Sequence, residues 1–286
     1  MFIYPYLAKA SLGLGLVFAL IHPALAQIVP NGAGTVVNPQ GNQINITGGT
    51  QAGVNLFHSF RDFNVNSNQV ANFLSNPQTQ NILGRINGGN PSMINGLLQV
   101  TGGNSNLFLM NPAGIVFGQG ASLNVTASFT ATTANQIGFG NNLFNAFGDN
   151  NFSALVGNPD SFIFTTNQAG SIINAGNLAV GSGQNISLIA GNIVNTGNIN
   201  AGNITLAAVP GTNRVRISQP GHILSLEIVP PVDSVITPLD LPRLLTGSDL
   251  PGISSNGSTV QVAGVNIPSG QGINITSGNL STGSQG

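Results

Sequence analysis

Cysteine is absent from the 286 residues, which excludes thiolate nucleophiles, cysteine-held metals and disulfides together. Charge is almost as scarce, at 5% of residues against roughly 25% in an average soluble domain. Six basic and seven acidic residues give a net charge of −1, and they are scattered. The chain therefore offers no basic footprint for nucleic acid or for anionic lipid. The only lysine is Lys9. Low charge does not mean disorder here, because 41% of the residues are hydrophobic and disordered chains combine low hydrophobicity with high charge. The surface must instead be built from Asn, Ser, Thr, Gln and the 39 glycines. Neutral polar side chains of this kind stack in ladders on long regular β arrays.

One apolar run stands near the amino terminus, from Ala10 to Ile21 behind Lys9, followed by Pro23 and Ala24-Leu25-Ala26. It is shorter than the about 18 residues that a spanning helix needs, and His22-Pro23 interrupts it. Residues 1–26 thus read as a secretory signal peptide, with cleavage between Ala26 and Gln27.

Beyond Gln27 no segment sustains the i, i+3, i+4, i+7 apolar spacing of a helix, whereas short alternating runs recur throughout. Gln43-Ile44-Asn45-Ile46-Thr47, Leu107-Phe108-Leu109-Met110 and Gly202-Asn203-Ile204-Thr205-Leu206 are examples, each bounded by Gly, Asn or Pro. An internal repeat fixes the fold class. Gly170-Ser171-Ile172-Ile173-Asn174-Ala175-Gly176-Asn177-Leu178 returns 21 residues later as Gly191-Asn192-Ile193-Val194-Asn195-Thr196-Gly197-Asn198-Ile199. Gln184-Asn185-Ile186-Ser187-Leu188 returns after 18 residues at Gly202-Asn203-Ile204-Thr205-Leu206. A coil of about 20 residues with two or three short strands stacks into a parallel β-helix whose inward Ile, Leu and Val form continuous rows.

The expected organisation is a capped, Phe-rich beginning to about residue 165, regular coils over 166–229, a proline-rich irregular excursion over 230–258, and further coils over 259–286. The last phrase, Ile273-Asn274-Ile275-Thr276-Ser277-Gly278-Asn279-Leu280, is repeat-like without a polar cap, as expected of a fragment of a longer exoprotein.

Five phrases occur in order between Gly53 and Ala134. They are Phe57-His58-Ser59-Phe60-Arg61-Asp62-Phe63-Asn64-Val65, Gly88-Gly89-Asn90-Pro91-Ser92, Asn111-Pro112-Ala113-Gly114-Ile115, Gly120-Ala121-Ser122-Leu123 and Ser128-Phe129. This series is similar to the signature region of the filamentous-haemagglutinin amino-terminal, or two-partner-secretion, domain. A weaker likeness runs on through Gly221-His222-Ile223-Leu224-Ser225-Leu226, so residues 27–229 would form that domain. The resemblance implies a right-handed parallel β-helix with an amino-terminal β cap and extra-helical strands. It also implies export by the Sec machinery, recognition by the POTRA domains of an outer-membrane pore, and folding at the surface of a Gram-negative bacterium. Adhesion to a host-cell or glycan surface would be the purpose. Family members carry an Asn-Pro-Asn-Gly motif, where this chain has Ala113 in place of the second Asn, and a second motif of which Asn76-Pro77 is a partial counterpart. By resemblance, Asn111, Pro112, Ala113, Gly114 and Ile115 form the secretion motif.

Read without the resemblance, Asn111 to Gly114 is a type I turn, with Asn first, Pro fixing φ second and Gly fourth. The same segment, unfolded, could add as a strand to a sheet edge of the transporter. His58 and His222 have no ligand-spaced neighbours and read as ordinary polar positions. Arg214 and Arg216 alternate on a strand and read as one solvated face. Phe57, Phe60 and Phe63 read as core of the cap. Catalytic, cofactor and metal sites are not expected. A β-helical polysaccharide lyase or hydrolase would need clustered carboxylates, but Asp62, Asp149, Asp160, Glu227, Asp233, Asp240 and Asp249 are dispersed. An export module of a contact-dependent toxin is the other alternative, and it would need a catalytic carboxyl-terminal region.

Overall fold

The computed structural model describes residues 28–209 and 211–218, together with the strands Ile223–Ile228, Ser254–Ser255, Thr259–Val262, Val265–Pro268, Ile273–Ile275 and Leu280–Thr282. The signal segment with Ala26 and Gln27, His222, and most of the proline-rich excursion lie outside the described residues. The described chain is almost entirely β, with a single 3-10 turn at Phe152–Ala154. Among the described residues no helix is long and apolar enough to cross a membrane.

The strands stack as a right-handed parallel β-helix of about 6 turns with three faces. Each coil runs from face A to face C to face B, as in Asn81–Ile86, Ser92–Ile94 and Leu97–Thr101 before Asn106–Met110 regains face A. The 21-residue repeat becomes a register, with Ser171 paired to Asn192 and Asn174 to Asn195 on face C. The 18-residue repeat likewise pairs Asn185 with Asn203 on face A. Alternate side chains point inward along each strand. Leu56 and Phe60, Ile82 and Ile86, Leu107 and Leu109, and Ile186 and Leu188 thereby fill one continuous core.

The first coil is closed by antiparallel strands. Thr35–Gln40 and Gln43–Gly48 form a hairpin at the edge of face B, and Ile28–Pro30 and Thr50–Ala52 both pair with Asn55–Phe63 on face A. Capping of this kind removes an open edge on which another chain could polymerise. A bulge places Val29 opposite Asp62 but Pro30 opposite Phe60, so Arg61 is the extra residue. The shift of phase brings Phe63 inward beside Phe60, with ring centroids 5.1 Å apart.

Two excursions leave the end of a face-A strand and build a second layer. Asn142–Asn145, Gln136–Phe139, Ser161–Ile163, Asn213–Ser218 and Ile223–Ile228 form an antiparallel sheet in that order. Ile137, Phe139, Phe144, Phe162 and Val215 from this sheet pack on Phe57, Leu83, Met110 and Ile189 from the outer side of face A. Each such burial contributes about 1.5–3 kcal/mol. Arg85 ties the layers by donating to Ser59 Oγ at 2.9 Å and to the carbonyls of Asn145 and Gly148 at 2.9 and 2.8 Å.

This corrects the expected organisation in three places. Phe139, Phe144, Phe162 and Phe164 are not part of the beginning of the solenoid but of the second layer. Residues 213–228, expected as regular coil, belong to the same extra-helical sheet, because they pair antiparallel with Ser161–Ile163 and with each other. Further coil is also expected from residue 259, but Thr259–Val262 and Val265–Pro268 stand in a small antiparallel sheet, and among the described strands from there on only Ile273–Ile275 and Leu280–Thr282 pair in parallel with faces C and B.

Candidate functional site

Asn111, Pro112, Ala113 and Gly114 turn the chain from face A to face C, between Asn106–Met110 and Ile115–Phe117. The Gly114 N–H donates to the Asn111 carbonyl at 3.0 Å and closes the turn. The Ala113 N–H donates to Asn111 Oδ1, also at 3.0 Å, which is the Asx bond that Asn supplies at a first turn position. Gly114 has φ of 123°, a region that side-chain-bearing residues avoid. Ile115 is fully buried in the solenoid core and anchors the far end of the turn.

The Asn111 side chain does more than close its own turn. It is 1% exposed, and its Nδ2 donates at 3.0 Å to both the Asn90 carbonyl and Ser92 Oγ in the preceding coil. Asn90 Nδ2 in turn donates at 2.8 Å to Asp62 Oδ1, one coil further back. Arg61 Nε meets Asp62 Oδ2 at 2.9 Å. The hydrogen bond from Asn90, then that from Arg61, holds the Asp62 carboxyl below its ordinary pKa. On the other side the Asn111 N–H donates to the Thr132 carbonyl at 2.9 Å. One corner of the solenoid is thus laced across successive coils by Asp62, Asn90 and Asn111. Sequence reasoning placed Asn111 in its turn but missed its partners Asn90 and Ser92, and Asp62 behind Asn90.

Asn76 and Pro77 stand at a different corner, between faces B and A. Asn76 Oδ1 accepts from the Gln78 and Thr79 N–H groups at 2.9 and 3.1 Å, so its first-position chemistry matches that of Asn111. The difference is exposure. Asn76, Pro77 and Gln78 are exposed, and these side-chain bonds stay within the turn. The two motifs are not brought together.

Other expected positions fall out as follows. Phe57, Phe60 and Phe63 are all buried, but Phe57 faces the second layer while Phe60 and Phe63 fill the solenoid. Val215 is buried, and Arg214 and Arg216 flank it at the more exposed positions of the strand. His58 is not an ordinary polar position. Strand alternation puts it inward with Leu56 and Phe60 at 0% exposure, and neither ring nitrogen has a hydrogen-bond partner. Burial lowers its pKa from 6.5 to about 4. Among the described residues no three His, Asp or Glu side chains come together as a metal site would require.

A second feature of face A is a column of amides at the start of its strands. Asn81 Nδ2 donates to Asn55 Oδ1, Asn106 Nδ2 to Asn81 Oδ1 and Asn203 Nδ2 to Asn185 Oδ1, each at 2.9 Å. The column is buried at Asn55 and Asn81, half-buried at Asn106 and Asn185, and exposed at Asn203.

The family model of the TPS secretion domain matches residues 26–258. No curated protein matches the chain. Among solved structures, the HMW1 secretion domain from Haemophilus influenzae aligns with a TM-score of 0.52 at 24% identity, over 72% of this chain and 49% of that one. The filamentous hemagglutinin secretion domain aligns with a TM-score of 0.45 at 19% identity, over 66% of this chain and 65% of that one. The likeness to the former is one of fold, and the chain spans about half of its length. Matched by the family over most of its residues, the chain belongs to the TPS secretion domains, the secretion domains of two-partner-secreted exoproteins.

Proposed function

We propose that this domain is read by the POTRA domains of a dedicated outer-membrane pore while it is unfolded, and that folding at the cell surface then hides the signal. After the signal peptide is removed between Ala26 and Gln27, the Sec-exported chain would reach the periplasm extended. The observation that carries this reading is the state of Asn111, which is 1% exposed and bonded through both ends of its amide. A transporter has no access to that side chain in the folded solenoid. In the unfolded chain the same segment is an apolar stretch ending in Asn-Pro, suited to adding as a strand to a POTRA sheet edge.

Directionality follows from folding. At about 0.05–0.15 kcal/mol per residue, a coil of ~20 residues contributes roughly 1–3 kcal/mol, which exceeds RT and opposes sliding back. Lack of cysteine suits this route, because a premature disulfide would lock a loop too wide for the pore. The exposed product would be a non-enzymatic adhesive surface of stacked amides and hydroxyls.

The test pairs secretion with stability. Asn111→Ala and Pro112→Ala are expected to reduce export through the cognate pore by more than their loss of folding stability accounts for. Export falling only in proportion to stability, with POTRA binding unchanged, reduces the motif to a structural corner.

A further inference from the structure

We propose that the outer side of face A, where the extra-helical sheet leaves it uncovered, is a groove that binds a neutral oligosaccharide strand. The proposal supplies a ligand for the adhesive surface inferred above and rests on that reading only for its setting. The groove has a volume of about 250 Å³, with face-A strands as its floor and Asn158 and Pro159 as one wall. Three observations define what fits it.

The first is charge. No ionisable side chain lines the groove, so neither a phosphate nor an acidic sugar would find a counter-ion there.

The second is a row of hydroxyls in register. Thr130 pairs with Ser187 and Ser187 with Thr205 across successive parallel strands, which places one hydroxyl every about 4.8 Å. None of the three side chains has a hydrogen-bond partner among the described residues; Ser187 and Thr205 are half-exposed, and Thr130 at 8% exposure stands at the buried end of the groove. They differ in this from the neighbouring amides, where Asn203 and Asn185 satisfy each other. A hydroxyl both donates and accepts, and an array of them selects a ligand that does the same.

The third is that the row begins at Phe108, which is paired with Thr130; the Phe108 ring packs in the second-layer core and at 9% exposure offers the groove a small part of its surface. An aromatic ring at the end of a hydroxyl row suits a ligand with both polar and C–H faces. A glycan of neutral pyranoses meets all three conditions, since its advance per sugar is close to the strand spacing and its rings alternate hydroxyl edges with apolar faces. An extended peptide does not, because it pairs with sheet edges through its backbone rather than with a sheet face.

The test titrates the purified, folded domain with cellohexaose, maltohexaose and laminarihexaose, and with hexagalacturonate as the charged comparison. At least one neutral hexaose is expected to bind in the millimolar range or tighter, and hexagalacturonate more weakly. The double variant S187A/T205V removes two hydroxyls with little change of volume. It should weaken the neutral ligand about tenfold, the effect of one or two lost hydrogen bonds, while the unfolding midpoint stays unchanged. Secretion of the double variant should remain normal, so the groove can fail without the export reading failing, and the reverse. Absence of binding by all three neutral hexaoses, equal binding of hexagalacturonate, or undiminished binding by a folded double variant overturns the proposal.

Discussion

Gly170 lies directly over the carbonyl of Pro112, so close that a Cβ on Gly170 would overlap that oxygen and stand 2.8 Å from the Gly114 nitrogen. The turn that carries the motif is therefore roofed by the next coil, although the first excursion separates the two in sequence. Its burial depends on that coil being in place.

Gly170→Ala should force the two coils apart and cost about 1–3 kcal/mol, as overpacking does in close-packed interiors. Urea unfolding of the purified domain measures this. An unchanged midpoint would mean that the coil spacing relaxes freely and that the roof is loose.

Asn111→Ala and Asn76→Ala should differ although both remove the first residue of an Asn-Pro turn. Loss of Asn111 leaves the buried Ser92 hydroxyl and the part-buried Asn90 carbonyl without their partner, at a cost of about 1–3 kcal/mol. Asn76 bonds only within its own exposed turn, and its loss should cost under about 1 kcal/mol. Equal destabilisation by the two substitutions, in the same unfolding assay, contradicts the bridging role of Asn111.

Acid should weaken the domain in two windows. The folded-state pKa of His58 is lowered to about 4 from 6.5, so the unfolded chain takes up the proton first. Stability is then unaffected above pH 6.5 and falls as the pH drops towards about 4, by on the order of 3 kcal/mol in total. Asp62 acts lower. Its carboxyl is held below the ordinary 3.8, so its contribution is full above that value and is lost as the pH falls through the folded-state value. His58→Leu removes two buried, unpartnered ring nitrogens and should abolish the first window while leaving the second. Melting temperatures of wild type and variant, compared at neutral and mildly acidic pH, are the readout. A variant that loses as much stability as wild type on moderate acidification would show that His58 is not the responsible group.

The parts of the fold legible in the sequence are those in which one coil follows another without interruption. The offset between Ser171 and Asn192, and that between Asn185 and Asn203, are strand registers in the structure. Where the first excursion intervenes the signal is lost, since Ile115 pairs with Ile172 across all of Gln136–Ile163. The Phe residues of the excursion then look like part of the beginning of the solenoid. A subtler pattern is present in the residues themselves. Asn55, Asn81, Asn106, Asn185 and Asn203 each open a face-A strand and are each followed by Ile or Leu, and this recurring pair marks the amide column. The partners of Asn111 were not legible, because the bonds that bury it come from Asn90 and Ser92 in another coil and follow from stacking, not from the turn's own sequence. His58 reads as an ordinary polar position by its type and by its neighbour Ser59, whereas its phase in the strand, shared with Leu56 and Phe60, sets it inward.

The measurement that bears most directly on the export reading is binding of the cognate pore's POTRA domains to the same chain in two states. Freshly diluted, unfolded domain and fully refolded domain are titrated side by side, each as wild type and as Asn111→Ala. Binding should be strong for the unfolded wild type, weaker for the unfolded variant, and lost for both once folded, because folding buries Asn111 beneath the next coil. Equal binding of the folded and unfolded wild-type domain would contradict recognition before folding.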